Sequence, residues 1–306
     1  MTRAVVFAYH NVGVRCLRVL LAHGIDVPVV LTHEDNPHET IWFDSVARVA
    51  RDCDIPVIAP VDPNLPEVLE RVASCKPDFA FSFYYRQMFR GPLLALAPRG
   101  ALNMHGSLLP KYRGRVPVNW AIIHGEKETG ATLHYMVEKP DAGDIVSQTA
   151  VPILPDDTAR EVFDKVTVAA ELTLDRVLPA LVAGNAPRTP QDAGLASYFG
   201  ARKPEDGVID WSQSASAIHN LVRALAPPYP GARALVAGAP ARVLRTRVLD
   251  PSQGEAPRLT LEDNRIVAYC GGGGKLDVLA LEIDGALVDA AGLERRFGSQ
   301  RIVPGP

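Results

Sequence analysis

The first third of the chain alternates between two hydrophobic periods. Residues 4 to 9, AVVFAY, form an apolar run of strand length, and Val14, Leu17, Leu20 and Leu21 then recur at helical spacing until Gly24. The alternation continues through Val27 to Leu31, a helix around Phe43 to Arg51, Pro56 to Ala59, a helix around Pro66 to Ser74, and Phe79 to Tyr84. Strands alternating with helices predict an α/β fold with a mostly parallel, Rossmann-like sheet, right-handed crossovers, and ligands at the carboxyl ends of the strands.

Further along, Val146 to Ile153 predicts another strand. Thr158-Ala-Arg-Glu161 reads as a capping box that opens a helix running to about Val182, with Val162, Val166, Ala169, Leu172 and Val177 on its buried side and Gly184 as its stop. A linker rich in Pro, Gly and polar residues spans about 185 to 210. Asp210-Trp211 then introduces an amphipathic helix carrying Ile218, Leu221, Val222 and Leu225, which Pro227-Pro-Tyr-Pro-Gly231 ends. Beyond residue 232, short alternating strands separated by Gly, Pro and Asp fit a smaller C-terminal β-barrel of the oligonucleotide-binding (OB-like) type. The expected domains are 1–203 and 204–306.

At 306 residues, 47% hydrophobic and 22% charged, the chain can bury two cores. A net charge of −3 argues against a protein devoted to nucleic acid, whose phosphates need clustered Lys and Arg. Cys16, Cys53, Cys75 and Cys270 are far apart with no CxxC pair, so reduced thiols in a cytoplasmic protein are expected, with no metal site. Neither a membrane-spanning run nor a signal-peptide pattern is visible. The first strand lacks GxGxxG, so no dinucleotide is implied. Gly271 to Lys275 is not a phosphate loop, because Leu276 stands where Ser or Thr is required; a flexible hairpin is expected.

The candidate chemistry lies between residues 101 and 144. An apolar run from Pro98 to Met104 predicts a buried strand that carries Asn103 and His105 on one side. A turn-rich segment follows, where Lys111, Arg113 and Arg115 suit a loop on the rim of a pocket. The chain returns through an alternating stretch, Thr132 to Glu138, and breaks at Pro140-Asp141-Ala142-Gly143, so two strand ends can bring Asn103, His105 and Asp141 together. An amide, an imidazole and a carboxylate are the parts that move an acyl group onto an amine. The imidazole titrates near neutrality and can transfer protons, the amide can donate to an oxyanion, and the carboxylate can orient the imidazole or take a proton. The same residue types are also ordinary turn caps, and spacing alone does not separate the two readings.

The string Asn103-Met-His105-Gly-Ser107-Leu-Leu-Pro110-Lys-Tyr-Arg113-Gly114, followed by Asp141-Ala-Gly143-Asp144, resembles the signature of the formyltetrahydrofolate-dependent formyltransferases. Three further stretches, Thr32 to Pro37, Ser45 to Arg48 and Phe81 to Arg86, resemble the formyltransferase domain of the bifunctional polymyxin-resistance enzymes, which act on UDP-4-amino-4-deoxy-L-arabinose in lipid A modification. The resemblance implies that Asn103, His105 and Asp141 are catalytic. It further implies that Gln87, Met88 and Phe89, together with Val137, Glu138, Lys139, Pro140 and Asp141, hold the pterin of 10-formyltetrahydrofolate, chiefly through backbone, and that Arg115 faces the substrate.

The expected reaction is therefore formyl transfer to a nucleotide-linked amino sugar, with no metal, and with a separate dehydrogenase/decarboxylase supplying that sugar. Methionyl-tRNA is the rival acceptor. The loop from Thr32 to Asp44 disfavours it, because it carries Glu34, Asp35, Glu39 and Asp44 with no Lys or Arg. Trp42 in that loop reads as a packing residue. From Trp211 to Pro306 there are 11 Lys plus Arg against 9 Asp plus Glu, a balance of +2, so the barrel is not expected to bind nucleic acid.

Overall fold

Strand β1 (Ala4–Ala8) is buried along its whole length. An unbroken apolar run of this kind belongs in a sheet covered on both faces. Its parallel neighbours are β2 (Val30–Leu31) on one side and β4 (Phe79–Phe83) on the other, with Val6 opposite both Val30 and Phe81. The computed structural model describes residues 1–250, 255–298 and 302–305. Positions 251–254, 299–301 and 306 of the expected barrel domain lie outside the described residues.

The remaining strands of this sheet are β3 (Val57–Ile58), β5 (Ala101–His105), β7 (Glu128–Tyr135) and β8 (Ile145–Pro152), and the order is β3-β2-β1-β4-β5-β7-β8. Pairing is parallel as far as β5 and antiparallel from β5 through β8. Connecting helices are α1 (His10–Ala22), α2 (Val46–Asp52), α3 (Pro66–Ser74), the single turn α4 (Gly91–Leu94) and α5 (Pro117–Ile123). Strand order reverses between β1 and β4, which opens a crevice at the carboxyl ends of the strands. A two-stranded ribbon joins β6 (Arg113–Gly114) to β9 (Tyr198–Phe199), and so brings the post-helical linker beside the loop after β5.

Helix α6 (Ala159–Ala183) starts with the expected capping box: Thr158 N donates to Glu161 Oε2 at 2.7 Å and Glu161 N to Thr158 Oγ1 at 3.4 Å. Its buried face differs from expectation at one position. Leu172 is 51% exposed beside Val168, and Thr173 is the fully buried residue, its hydroxyl donating to Ala169 O at 2.7 Å and lying 2.6 Å from Thr149 Oγ1. At 3.6 residues per turn, positions 162, 166, 169, 173 and 177 form one stripe and Leu172 falls roughly 100° from position 173.

The chain divides into two compact units. The first is Met1–Pro117, Glu128–Pro152 and Phe163–Gly200; the second is Val118–Lys127, Ile153–Val162 and Ala201–Pro306. The second unit thus gathers two segments from the middle of the chain. Asn119 Nδ2 donates to Ala224 O at 2.8 Å, and the buried Arg223 donates to the carbonyls of Leu154 and Asp157. Helix α7 (Ala215–Leu225) packs Ile218, Val222 and Leu225 onto Val243, Val278, Leu281 and Ile283 of an antiparallel sheet. Its strands are β10 (Ala232–Val236), β11 (Ala239–Asp250), β12 (Arg258–Glu262), β13 (Arg265–Tyr269), β14 (Lys275–Ile283), β15 (Ala286–Val288) and β16 (Pro304–Gly305), with α8 (Ala290–Phe297) between the last two.

The sheet order is β12-β13-β14-β11-β10-β16, and register shifts along β11 curl it. Ile302 exchanges two backbone hydrogen bonds with Leu259 of β12 while Pro304 and Gly305 pair with β10, so one short segment links both edges. The expected flexible hairpin at Gly271 is instead held by backbone. Gly271 N donates to Trp211 O, Gly272 N to Gln213 O, and Ala215 N to Gly273 O. A Cβ on Gly272 would sit 2.6 Å from Ser214 N, so glycine is what permits this contact. The four cysteines are free, with Cys53 exposed and the other three buried. Among the described residues no helix is long and apolar enough to cross a membrane.

Candidate active site

Asn103 and His105 project from the same side of β5, near its carboxyl end. Antiparallel register sets β7 against them, with Asn103 opposite His134 and His105 opposite Thr132. Asp141 follows β7 in a turn where its backbone is left-handed, φ 51°. Glycine at 143 is needed in that turn, since a Cβ there would fall 2.0 Å from Tyr135 O. The three expected residues do converge. Asp141 Oδ1 lies 3.4 Å from Asn103 Nδ2 and 3.6 Å from His105 Nδ1, and Gly114 N donates to Asp141 Oδ2 at 2.8 Å.

His134 is a fourth member that sequence reasoning missed. Its Nε2 lies 3.2 Å from Asn103 Nδ2 and 3.5 Å from Asp141 Oδ1, while its Nδ1 donates to Tyr135 O at 2.8 Å. Neutral, His134 accepts from Asn103; protonated, it donates to Asp141. The alternating run Thr132 to Glu138 held the available signal, because it places Thr132 and His134 on one face, but the pairing register had to be known.

The site's hydrogen bonds fix proton positions. A carbonyl oxygen only accepts, so the contact of His105 Nε2 with Tyr112 O at 2.8 Å puts a hydrogen on Nε2. Nδ1 is then the nitrogen that gains or loses a proton, and it is the one facing Asp141. Burial alone would push the Asp141 carboxyl up. The charge of His105, the hydrogen bond and charge of His134 and the N–H of Gly114 outweigh burial and hold it well below the usual carboxylate range. Asp141 is therefore ionised throughout the neutral range. Among the described residues no cluster of His, Cys, Asp or Glu is arranged to hold a metal ion.

The other expected site residues divide. Phe89 is built into the core, 4.4 Å from Phe7 between ring centroids. Gln87 Nε2 donates to Val61 O, and Met88 is exposed while its carbonyl accepts from Asn64. Side chains at 87 and 89 are thus committed to the protein, and any ligand contact there falls to backbone or to Met88. Val137, Glu138 and Lys139 are exposed, Pro140 and Asp141 half-buried. A Cβ added to Gly91 would lie 3.0 Å from Glu138 Oε1, so the 87–91 and 137–141 segments adjoin.

Arg115 is exposed with its N–H held by Phe199 O. Arg113 is not a rim residue: it is 6% exposed and donates twice to Gln191 Oε1, at 2.7 and 3.1 Å, because β6 pairs with β9. Trp42 packs as expected, on His10 and Phe163.

A cavity of about 500 Å³ opens at the carboxyl ends of β1 to β3, lined by Tyr9, His33, Glu34, Asp35, Phe43 and Asp44 among others. The acidic loop beside it is anchored as well as solvated. Tyr9 Oη donates to Asp35 at 2.7 Å, and Arg86 makes two 2.9 Å bonds to Glu39. Burial, with a smaller push from the Arg86 charge, lowers His33 to about 4; it accepts from Arg86 N at 3.0 Å.

Residues 16–178 match the formyl transferase family model, and residues 202–293 match the formyl transferase C-terminal domain. The chain belongs to the formyl transferase family. Solved structures share this formyl transferase's fold. The N-formyltransferase from Helicobacter canadensis, crystallised with folinic acid and dTDP-3-aminofucose, is 20% identical over 91% of this chain and 99% of its own, with a TM-score of 0.74. WlaRD, a sugar 3N-formyl transferase crystallised in the presence of dTDP and 5-N-formyl-THF, is 19% identical over 94% of this chain and 99% of its own, TM-score 0.71. HypX from Aquifex aeolicus with tetrahydrofolic acid is 18% identical over 96% of this formyl transferase, which spans 47% of HypX, TM-score 0.64.

Proposed function

We propose that this formyl transferase moves a formyl group from 10-formyltetrahydrofolate to the amine of a nucleotide-linked amino sugar, and that residues 1–203 carry the chemistry. The observation that carries the reading is the convergence of Asn103, His105, His134 and an ionised Asp141 at two strand ends. When bound, the folate supplies an activated N-formyl group. The residues that would hold its pterin are the turn Val137 to Asp141 and the adjoining backbone of Gln87, Met88 and Phe89.

Acyl transfer forms one C–N bond and breaks another, so one proton leaves the attacking amine and one reaches the leaving nitrogen. His105 Nδ1 is the atom placed to take and return it, and Asp141 stabilises the imidazolium in between. Asn103 offers its amide N–H to the oxyanion. Its present bonds, 3.2 and 3.4 Å, are long enough to be exchanged at modest cost.

The acceptor class is supported by the acidic cavity and by the dTDP-3-aminofucose and dTDP of two structurally similar proteins. Carboxylates at 34, 35 and 44 beside the Tyr9 and Phe43 rings suit the hydrogen-bond donors of a base and ribose better than an RNA backbone. Within this class we propose UDP-4-amino-4-deoxy-L-arabinose, as in lipid A modification, supplied by a separate dehydrogenase/decarboxylase, with Arg115 facing the substrate. The test presents the protein and formyl donor with a panel of UDP- and dTDP-linked amino sugars and with charged methionyl-tRNA. Turnover of a nucleotide sugar well above tRNA is expected; the reverse order would overturn the reading.

A further inference from the structure

We propose that Gln191 is a positioning residue for formyl transfer, acting through the backbone of Asp141; this rests on the reading of Asp141 as catalytic. Gln191 lies in the linker, 50 residues from Asp141. Its side-chain nitrogen spends both hydrogens on one turn, donating to Asp141 O at 2.8 Å and to Gly143 O at 2.7 Å. Its oxygen accepts from Arg113 Nη2 and Nε. Arginine is donor-only and carbonyls are acceptor-only, so the amide can sit in just one orientation.

The contacts form a closed ring. Arg113 holds Gln191, Gln191 holds the main chain of Asp141, and Gly114, the residue after Arg113, donates to the Asp141 carboxylate. The pairing of Arg113 with Tyr198 and the bond from Arg113 N to Ser197 O bring the linker to this place. The left-handed backbone of Asp141, which aspartate adopts at modest cost, is held in place here by a hydrogen bond to its main chain. Gln191 provides that constraint, and the constraint aims the carboxylate at Asn103, His105 and His134. Arg113, buried in a position where a rim contact was expected, keeps Gln191 from turning its oxygen toward the turn.

Gln191→Glu separates this role from plain structural anchoring. Glutamate has the same shape and keeps an Arg113 partner, but offers no N–H to the two carbonyls. The variant should fold with wild-type circular dichroism and lose kcat by about 10- to 100-fold, the scale of a misplacement near 1 Å. Its KM for the amino sugar should stay within about twofold while the acid limb of its kcat pH profile moves. Added to Asp141→Asn, it should lower kcat by less than about twofold more, since residues acting as one unit are not additive.

Wild-type kcat in Gln191→Glu with an impaired Asp141→Asn would overturn the clamp and leave the catalytic reading standing. A fully active Asp141→Asn would remove the catalytic reading itself. A kcat loss that adds fully to Asp141→Asn with an unmoved pH profile would reduce Gln191 to a structural anchor and so overturn the proposal. If Gln191→Glu does not fold, Arg113→Met takes its place, since it removes both donors to Gln191 Oε1, with the same expected fall in kcat at constant KM; wild-type kcat there also overturns the clamp.

Discussion

Asn103 enters the reaction with its amide nitrogen shared between the His134 imidazole and the Asp141 carboxylate, both at long range. A donor held this way is weakly committed in the ground state and free to follow charge as it develops. Asn103→Ala should therefore lower kcat by about 100- to 1000-fold with KM nearly unchanged. His105→Ala should keep its fold and lose at least about 100-fold. Steady-state kinetics on both variants checks this. A raised KM at constant kcat would make Asn103 a binding residue.

The same scale sets a stability response to acid. His33 is lowered to about 4 by burial first and by Arg86 second, and His219 is lowered mainly by burial. A histidine whose folded pKa lies below its unfolded value opposes folding once the unfolded chain takes up the proton. Stability should be full above about pH 6.5, fall as pH drops toward 4, and level off there. His33→Gln, which can still accept from Arg86 N, should flatten part of that slope; thermal melts between pH 4 and 7 measure it. A slope unchanged in His33→Gln would remove His33 as a contributor.

At the scale of elements, α6 shows local chemistry deciding a boundary. Thr158 and Glu161 satisfy each other's N–H groups one turn apart, ahead of a 25-residue helix. Thr158→Ala should cost about 1 kcal/mol, read as a lowered Tm or denaturation midpoint with activity retained. The glycine hairpin before β14 behaves differently, because its fit depends on the turn that opens α7. Gly272→Ala should destabilise the second unit through a Cβ forced to within 2.6 Å of Ser214 N, whereas Gly238→Ala meets nothing within 4 Å and is strained only by its positive φ. Denaturant unfolding that ranked Gly238→Ala as the worse of the two would contradict this account.

At the scale of the molecule, net charge and its placement argue about partners. A net charge of −3, carboxylates at the cavity and near balance in the last 96 residues leave little excess positive charge to hold RNA phosphates. Any tRNA complex should be weak and should fade steeply between about 50 and 200 mM salt. A tight complex that withstands that change would point to an RNA acceptor after all.

The elements of the parallel sheet, the capping box and the shared side of Asn103 and His105 were legible in the sequence, because each depends on residues within a strand or a turn of one another. The second unit's strands were legible as a kind, by their alternation and turn residues. What only the tertiary structure decided is which segments meet. His134 lies opposite Asn103 across 31 residues, through a register that no local pattern encodes. Gln191 reaches Asp141, and Arg113 is buried, because β6 pairs with β9 across the linker. Periodicity and capping are short-range sterics and hydrogen bonding, written into adjacent residues. Pairing between distant segments is set by burying apolar surface while satisfying every backbone group at once, and that condition is met only by the whole chain.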